Sequence, residues 1–315
     1  MRRKYFLLFV LLTVPVFSYA YECPVGEEKA EDCPWAGVAR LLNEKADSGK
    51  DLEPVFKAHI PGLLSQMDRD GENAVLLKLW GESINYDELA DGEIVHPGVL
   101  SFISARLGAA QPRGRIAHAG LEHTYGYLFS LLPTKFGFKR ARWVRPDIER
   151  GLGLPEGAGG PSPDEGSLLA NITCLAGGIA LKDDSEAWAL LERAGSGCSK
   201  AVKQYSFAGM KRVRLTEEVK LSGGREVVLR TDFVPFSGTY GGNTHLLVYS
   251  VYDSGLRRAY LVTAFPVNSG FVQNATNPAG LGEGKVIQTR YNAYVEGITG
   301  VGKFKGTRSV SEFEK

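Results

Sequence analysis

The apolar positions along this chain change period once, near Lys211, and the change divides the sequence. From Trp35 to about Leu132 they fall at helical spacing. Val38, Leu41 and Leu42 make one stripe; Leu52, Val55, Phe56, Leu63 and Leu64 make another, interrupted at Pro61. Residues three and four apart share a helix face, so each stripe predicts an amphipathic helix. Pro97 suits a first helical turn and predicts a helix that turns Leu100, Ile103 and Leu107 inward. A further helix is expected over Leu121, Leu128, Phe129 and Leu132. Short helices follow around Leu168–Leu181, Glu186–Arg193 and Ser199–Tyr205, the second capped by Asp184 or Ser185.

Beyond Lys211 the period is two. Glu217–Phe233 reads as two strands about Gly223-Gly224, and His245–Tyr252 with Arg258–Phe265 as a second hairpin about Asp253-Ser254-Gly255. Lys285–Val295 is the expected fifth strand. In Glu226–Phe233 the series Val227, Leu229, Thr231 and Phe233 alternates with Glu226, Val228, Arg230 and Asp232, giving a core face and a polar face. His245–Tyr252 is apolar on both faces, which predicts cover on both sides. Helices first and strands after predict an α+β fold, a helical region packed on a C-terminal antiparallel sheet of about five strands. Residues 21–151 form the helical region. Residues 152–166, rich in Gly and Pro, read as a loop, and 167–315 carry the short helices and the sheet. No repeat occurs at any fixed period.

The first twenty residues change the picture. Arg2-Arg3-Lys4, an apolar run from Phe6 to Val16 and Ser18-Tyr19-Ala20 have the form of a secretory signal peptide spanning residues 1–20. A membrane span takes roughly twenty apolar residues, so this run is too short to be one. The expected destination is a periplasm or the extracellular space. Cleavage after Ala20 removes three of the 37 basic residues and moves the formal charge from +1 to −2. A nearly neutral chain has no global field that selects nucleic acid or acidic lipid, so anion recognition must be local. In an oxidising compartment Cys23, Cys33, Cys174 and Cys198 predict two disulfides. Of the three connectivities, Cys23–Cys33 with Cys174–Cys198 is preferred, since it closes two short loops.

Candidate chemistry is densest at His118-Ala-Gly-Leu-Glu122-His123. Two imidazoles and a carboxylate suit acid–base catalysis, and they also suit a divalent metal. The H-x3-E-H spacing matches neither metalloprotease signature. His118 and Glu122, four apart, would meet on one helix face; His118 and His123 would share a metal only if Gly120 broke the helix. The competing reading is an interfacial helix whose polar groups satisfy one another. Next comes a basic–aromatic segment containing Lys139, Arg140 and Arg142, able to hold an anion or to serve as a solvated edge strand. A third group is the polar strand face with Arg230, Asp232, Gln288, Arg290, Asn292 and Tyr294, of which Arg290 and Tyr294 are the substrate-binding candidates. No G-x-S-x-G elbow, P-loop or dinucleotide fingerprint occurs. Two functions are expected from these residues. One is an exported hydrolase of an anionic small molecule or polymer, such as a phosphodiester or a cell-envelope polymer, with His118, Glu122 and His123 as its catalytic group. The alternative is a non-catalytic extracellular or envelope binding protein that uses the basic–aromatic surface.

Overall fold

The computed structural model describes residues 34–134, 138–141, 167–204, 211–240, 242–298 and 303–313. Residues 1–20, expected to be a signal peptide, lie outside the described residues, as do Cys23, Cys33, Arg142 and the Gly/Pro-rich segment 152–166.

The helical region opens with α1 (Pro34–Asp47), α2 (Glu53–His59), α3 (Pro61–Gly71) and α4 (Ala74–Lys78). Prolines stand at the starts of α2 and α3, where their missing N–H costs nothing. Leu42, Phe56, Met67 and Leu76 are fully buried, so the stripes in the sequence are the core faces of these helices. A three-residue strand, β1 (Glu82–Ile84), follows, then α5 (Pro97–Leu107). His96 caps α5 through a bond from the Gly98 N–H, and Gly108 ends it with φ 67°. The helix expected over 121–132 is instead β2 (Ile116–His118), one turn of α6 (Ala119–His123), and a 3-10 turn at Gly126–Phe129. Leu121, Leu128 and Phe129 are nonetheless buried. Their apolar spacing reports a core rather than one continuous helix.

After the undescribed segment come α7 (Leu168–Ala180), α8 (Ser185–Ala194) and α9 (Lys200–Gln204). Asp184 caps α8 by accepting the Ala187 N–H at 2.8 Å. A disulfide joins Cys174 of α7 to Cys198. Asn171 is buried in α7, where its side chain accepts the Ser199 N–H at 2.8 Å.

The sheet region runs β3 (Arg212–Lys220), β4 (Glu226–Tyr240), β5 (Asn243–Asp253), β6 (Arg258–Val267), α10 (Ser269–Ala275), β7 (Gly282–Gln288), β8 (Ala293–Tyr294) and β9 (Lys303–Phe313). Both expected hairpins form, and the fold is α+β. The large antiparallel sheet has six strands in the order β6-β5-β4-β3-β9-β7. Its extra member, β9, carries few apolar residues and enters between β3 and β7. Gly306 permits that approach, because a Cβ there would lie 2.1 Å from the Glu218 carbonyl oxygen.

Cross-strand register sorts the side chains of this sheet. Leu229, Thr231 and Phe233 share a face with Val251, Tyr249 and Leu247. Arg214 and Asp232 share the opposite face, toward α7 and α8, where Arg212 reaches the Ile179 carbonyl. The helices precede the sheet in the chain, and α7 is the one that packs on its central strands.

The segment 285–295 departs from expectation. The strand ends at Gln288, the chain reverses through Tyr291 and Asn292 with φ 57° and 60°, and β8 joins a second sheet, β2-β1-β8. Period-two spacing continues through the turn, which is why the sequence reads as one strand. The consequence is a second antiparallel layer facing the large sheet. It attaches at the β6 edge: the Leu261 N–H donates to the Leu79 carbonyl and the Gly81 N–H to the Leu261 carbonyl, each at 2.8 Å.

Candidate functional site

Between the small sheet and the hairpin end of the large sheet lies a cavity of about 440 Å³. Its first wall follows from strand register. Glu82 of β1 stands opposite His118 of β2 on one side and opposite Tyr294 of β8 on the other. The three side chains therefore form a row, Tyr294–Glu82–His118, and all three line the cavity. The facing wall is built from Val251 and Asp253 of β5 with Tyr260 and Val262 of β6. Trp80 closes the end where the two sheets join. Its indole Nε1 donates to Thr173 Oγ1 at 2.8 Å, and Gly120 makes room for it, since a Cβ there would lie 2.6 Å from the ring.

The charged groups at the rim are paired. Arg113 Nη2 lies 2.7 Å from Glu82 Oε1. Arg225 grips Asp253 with two nitrogens, Nε at 3.1 Å from Oδ1, and also donates to the Glu296 carbonyl at 2.8 Å. Although burial works to raise Asp253, the Arg225 contact outweighs it and holds the carboxyl below its ordinary range. Leu256, on the turn between β5 and β6, reaches the rim while remaining 62% exposed.

His118 sits in this wall as a bonded group. Its Nε2 is 2.9 Å from the Leu77 carbonyl oxygen, so it must carry the proton and donate. Nδ1 then accepts the Leu121 N–H at 3.3 Å and caps α6. Burial pushes the imidazole below its ordinary range, so the ring is neutral. Both nitrogens are in use. The expected His118–Glu122 pair on one helix face does not form, because His118 precedes α6 with extended backbone (φ −67°, ψ 117°).

Glu122 lies on the other side of the small sheet and His123 against β6, and neither lines the cavity. Ser83, whose side chain alternates away from Glu82, donates its hydroxyl to Glu122 Oε2, and Oε1 has no hydrogen-bond partner. Burial pushes Glu122 up to about 7, against the Ser83 bond and the Lys139 charge that lower it. His123 bonds the Val262 carbonyl through Nδ1 and meets the edge of Tyr127 at 4.8 Å. Gly120 does not break the helix to let His118 and His123 converge. No three His, Cys, Asp or Glu side chains are grouped to hold a metal ion among the described residues.

Lys139 and Arg140, the described basic residues of the segment, do not line the cavity. Lys139 and Arg140 lie in a 3-10 turn, Lys139–Ala141. Arg140 is buried, donates to the Ser130 carbonyl at 2.9 Å and stacks 4.0 Å over Phe138, so it is no part of a solvated strand. Lys139 Nζ stands 5.9 Å from the centre of the Tyr127 ring. Arg290 pairs with buried Glu217 at 3.2 Å, on the opposite face of the large sheet from Arg230 and Asp232. The single polar face expected from the strand pattern is therefore split in two.

Of the singled-out residues, the structure brings His118 and Tyr294 together at the cavity. It leaves Glu122, His123, Lys139, Arg140 and Arg290 elsewhere. Sequence reasoning missed Glu82, Arg113, Arg225, Asp253 and Tyr260. For Arg225 and Asp253 a signal exists: they flank the two hairpin turns, and adjacent hairpins bring such positions together. For Glu82 there is none, because a three-residue strand leaves no period to read. In comparisons with known proteins, no family model, no curated protein and no solved structure matches this chain.

Proposed function

We propose that this is an exported binding protein that takes one small ligand into the cavity between its two sheets. The Tyr294–Glu82–His118 row facing Val251 and Tyr260 across about 440 Å³ carries the reading. Ligand sites of this kind are concave, run from about 300 to 1,000 Å³, and combine apolar walls with a few fixed polar groups. Binding is favoured over catalysis by the state of those polar groups. His118 spends both ring nitrogens on the backbone, and Asp253 is held charged by Arg225. A hydrolase needs a base or nucleophile within reach of its substrate and poised near the working pH. Glu122, the carboxyl pushed up to about 7, lies behind the sheet with Ser83. Export rests on the form of residues 1–20 and agrees with the Cys174–Cys198 disulfide.

Crystals soaked with a library of small polar and aromatic fragments test the proposal. Fragments should collect against Tyr294, Glu82 and Tyr260, and Val251→Trp, which fills the cavity, should abolish their binding. Fragments that gather only elsewhere, or that bind unchanged to Val251→Trp, would overturn it.

A further inference from the structure

The charges around the cavity identify the class of ligand, an inference that rests on the binding reading above. Glu82, Asp253 and Glu296 line it against Arg113 and Arg225, and His118 is neutral. Three carboxylates against two guanidiniums leave one negative charge. Glu82 and Asp253 are consumed by Arg113 and Arg225. The Glu296 carboxylate is exposed and makes no hydrogen bond or ion pair among the described residues; only its carbonyl is engaged, by Arg225. The aromatic groups point the same way. Tyr260 has the Arg258 guanidinium 4.5 Å from its ring centre, so Tyr294 is the other lining tyrosine ring able to meet a cation. The remaining lining is apolar: buried Val251, Val262 and Val295, with exposed Leu256 at the rim.

We propose that the cavity binds a monocation, a ligand with one ammonium group on a compact apolar body. Its ammonium group lies at Glu296 and the Tyr294 ring, and its body rests on the valines beneath Leu256. Charge complementarity of this kind selects among ligands of one shape more than it adds affinity. An anionic ligand would meet the Glu296 carboxylate and two guanidiniums that already have carboxylate partners.

Three probes of one shape separate the charge from the cavity: phenethylamine, phenethyl alcohol and phenylacetate, titrated calorimetrically into the disulfide-bonded protein and located by crystal soaking. The amine should bind about tenfold more tightly than the alcohol, equivalent to about 1.4 kcal/mol, and phenylacetate weakest of all. Glu296→Gln should cost the amine roughly threefold and leave the alcohol unchanged, the modest size reflecting an exposed partner. Amine binding should weaken with salt while alcohol binding does not. Equal binding of amine and alcohol, or tightest binding by phenylacetate, would overturn the monocation while leaving the cavity reading intact. If none of the three occupies the cavity in the soaked crystals, the binding reading falls with it.

Discussion

The helical half and the sheet half bury carboxyl groups in opposite ways. In the helical half Asp70 is held by the hydroxyls of Tyr125 and Ser167, and Glu122 by the hydroxyl of Ser83. Burial outweighs those bonds and pushes Asp70 up to about 6 and Glu122 to about 7. Hydroxyls can bond a carboxylic acid as well as a carboxylate, so these sites favour the neutral form. In the sheet half Asp232 receives a two-nitrogen grip from Arg214, Nε at 2.8 Å and Nη2 at 3.1 Å, with Arg212 at 3.7 Å. Glu217 stands between Arg290 at 3.2 Å and Arg308 at 2.8 Å. Burial pushes these carboxyls above their ordinary range as well, although the guanidiniums pull them back. One half sets neutral hydroxyls against burial, the other charged guanidiniums.

The most forceful way to break this contrast is Asp232→Ala. It strands buried guanidiniums and should cost about 3–5 kcal/mol, read as a lower urea midpoint. A loss below 1 kcal/mol would mean that the pair contributes almost nothing to stability.

Glu122→Gln tests the other half and should change sign with the comparison. A carboxyl whose folded value is raised gives its stability below the unfolded value, and that stability is lost as pH rises through the folded value. Between the ordinary 4.5 and about 7, wild type should therefore lose about 3 kcal/mol that the variant keeps. Urea midpoints at pH 4, 6 and 8 measure it. A gap between the two proteins that is constant with pH would refute the neutral-acid account.

Arg140→Gln should destabilise by roughly 1–3 kcal/mol, because the guanidinium is buried on the Ser130 carbonyl and over Phe138. Lys139→Gln, in the same turn but half-exposed, is the control and should lose less. Smallest is Asp183→Ala. Asp183 touches Arg212 and Arg214, yet its side chain is 42% exposed, so less than about 1 kcal/mol should be lost. An Asp183 loss equal to that of Asp232 would show that contact rather than burial sets the cost.

The parts of this architecture that were legible in the sequence are those with a long repeat. Gly223-Gly224 between two alternating runs marks the first hairpin, and the two-sided apolar pattern of 245–252 gives a strand buried on both faces. Asp184 is readable as a cap because it stands just before a helical stripe. What was illegible is short or half-exposed. Strand β9 offers only Phe304, Val310 and Phe313 as large apolar residues over its eleven positions. Tyr291 and Asn292 adopt left-handed backbone without a glycine to announce it. The cavity row is harder still. His118 attracted attention for its histidine and glutamate neighbours, and Tyr294 for an alternation that does not in fact continue. Each reaches the cavity through pairing with Glu82, distant from both along the chain.

The insertion of β9 between β3 and β7 also sets an order of events. β7 pairs with β9 alone, so it has no place in the sheet until residues 303–313 exist. Before those residues arrive, β3 to β6 can assemble as a meander of neighbours. The outer side of β3 meanwhile stays open, a row of unpaired backbone groups available to any extended segment. Tyr294 of the cavity wall lies outside this dependence, because its strand pairs with β1, which is already made. A chain stopped before Lys303 would carry the helical layer, the small sheet and a four-stranded meander, yet no finished edge beside β3.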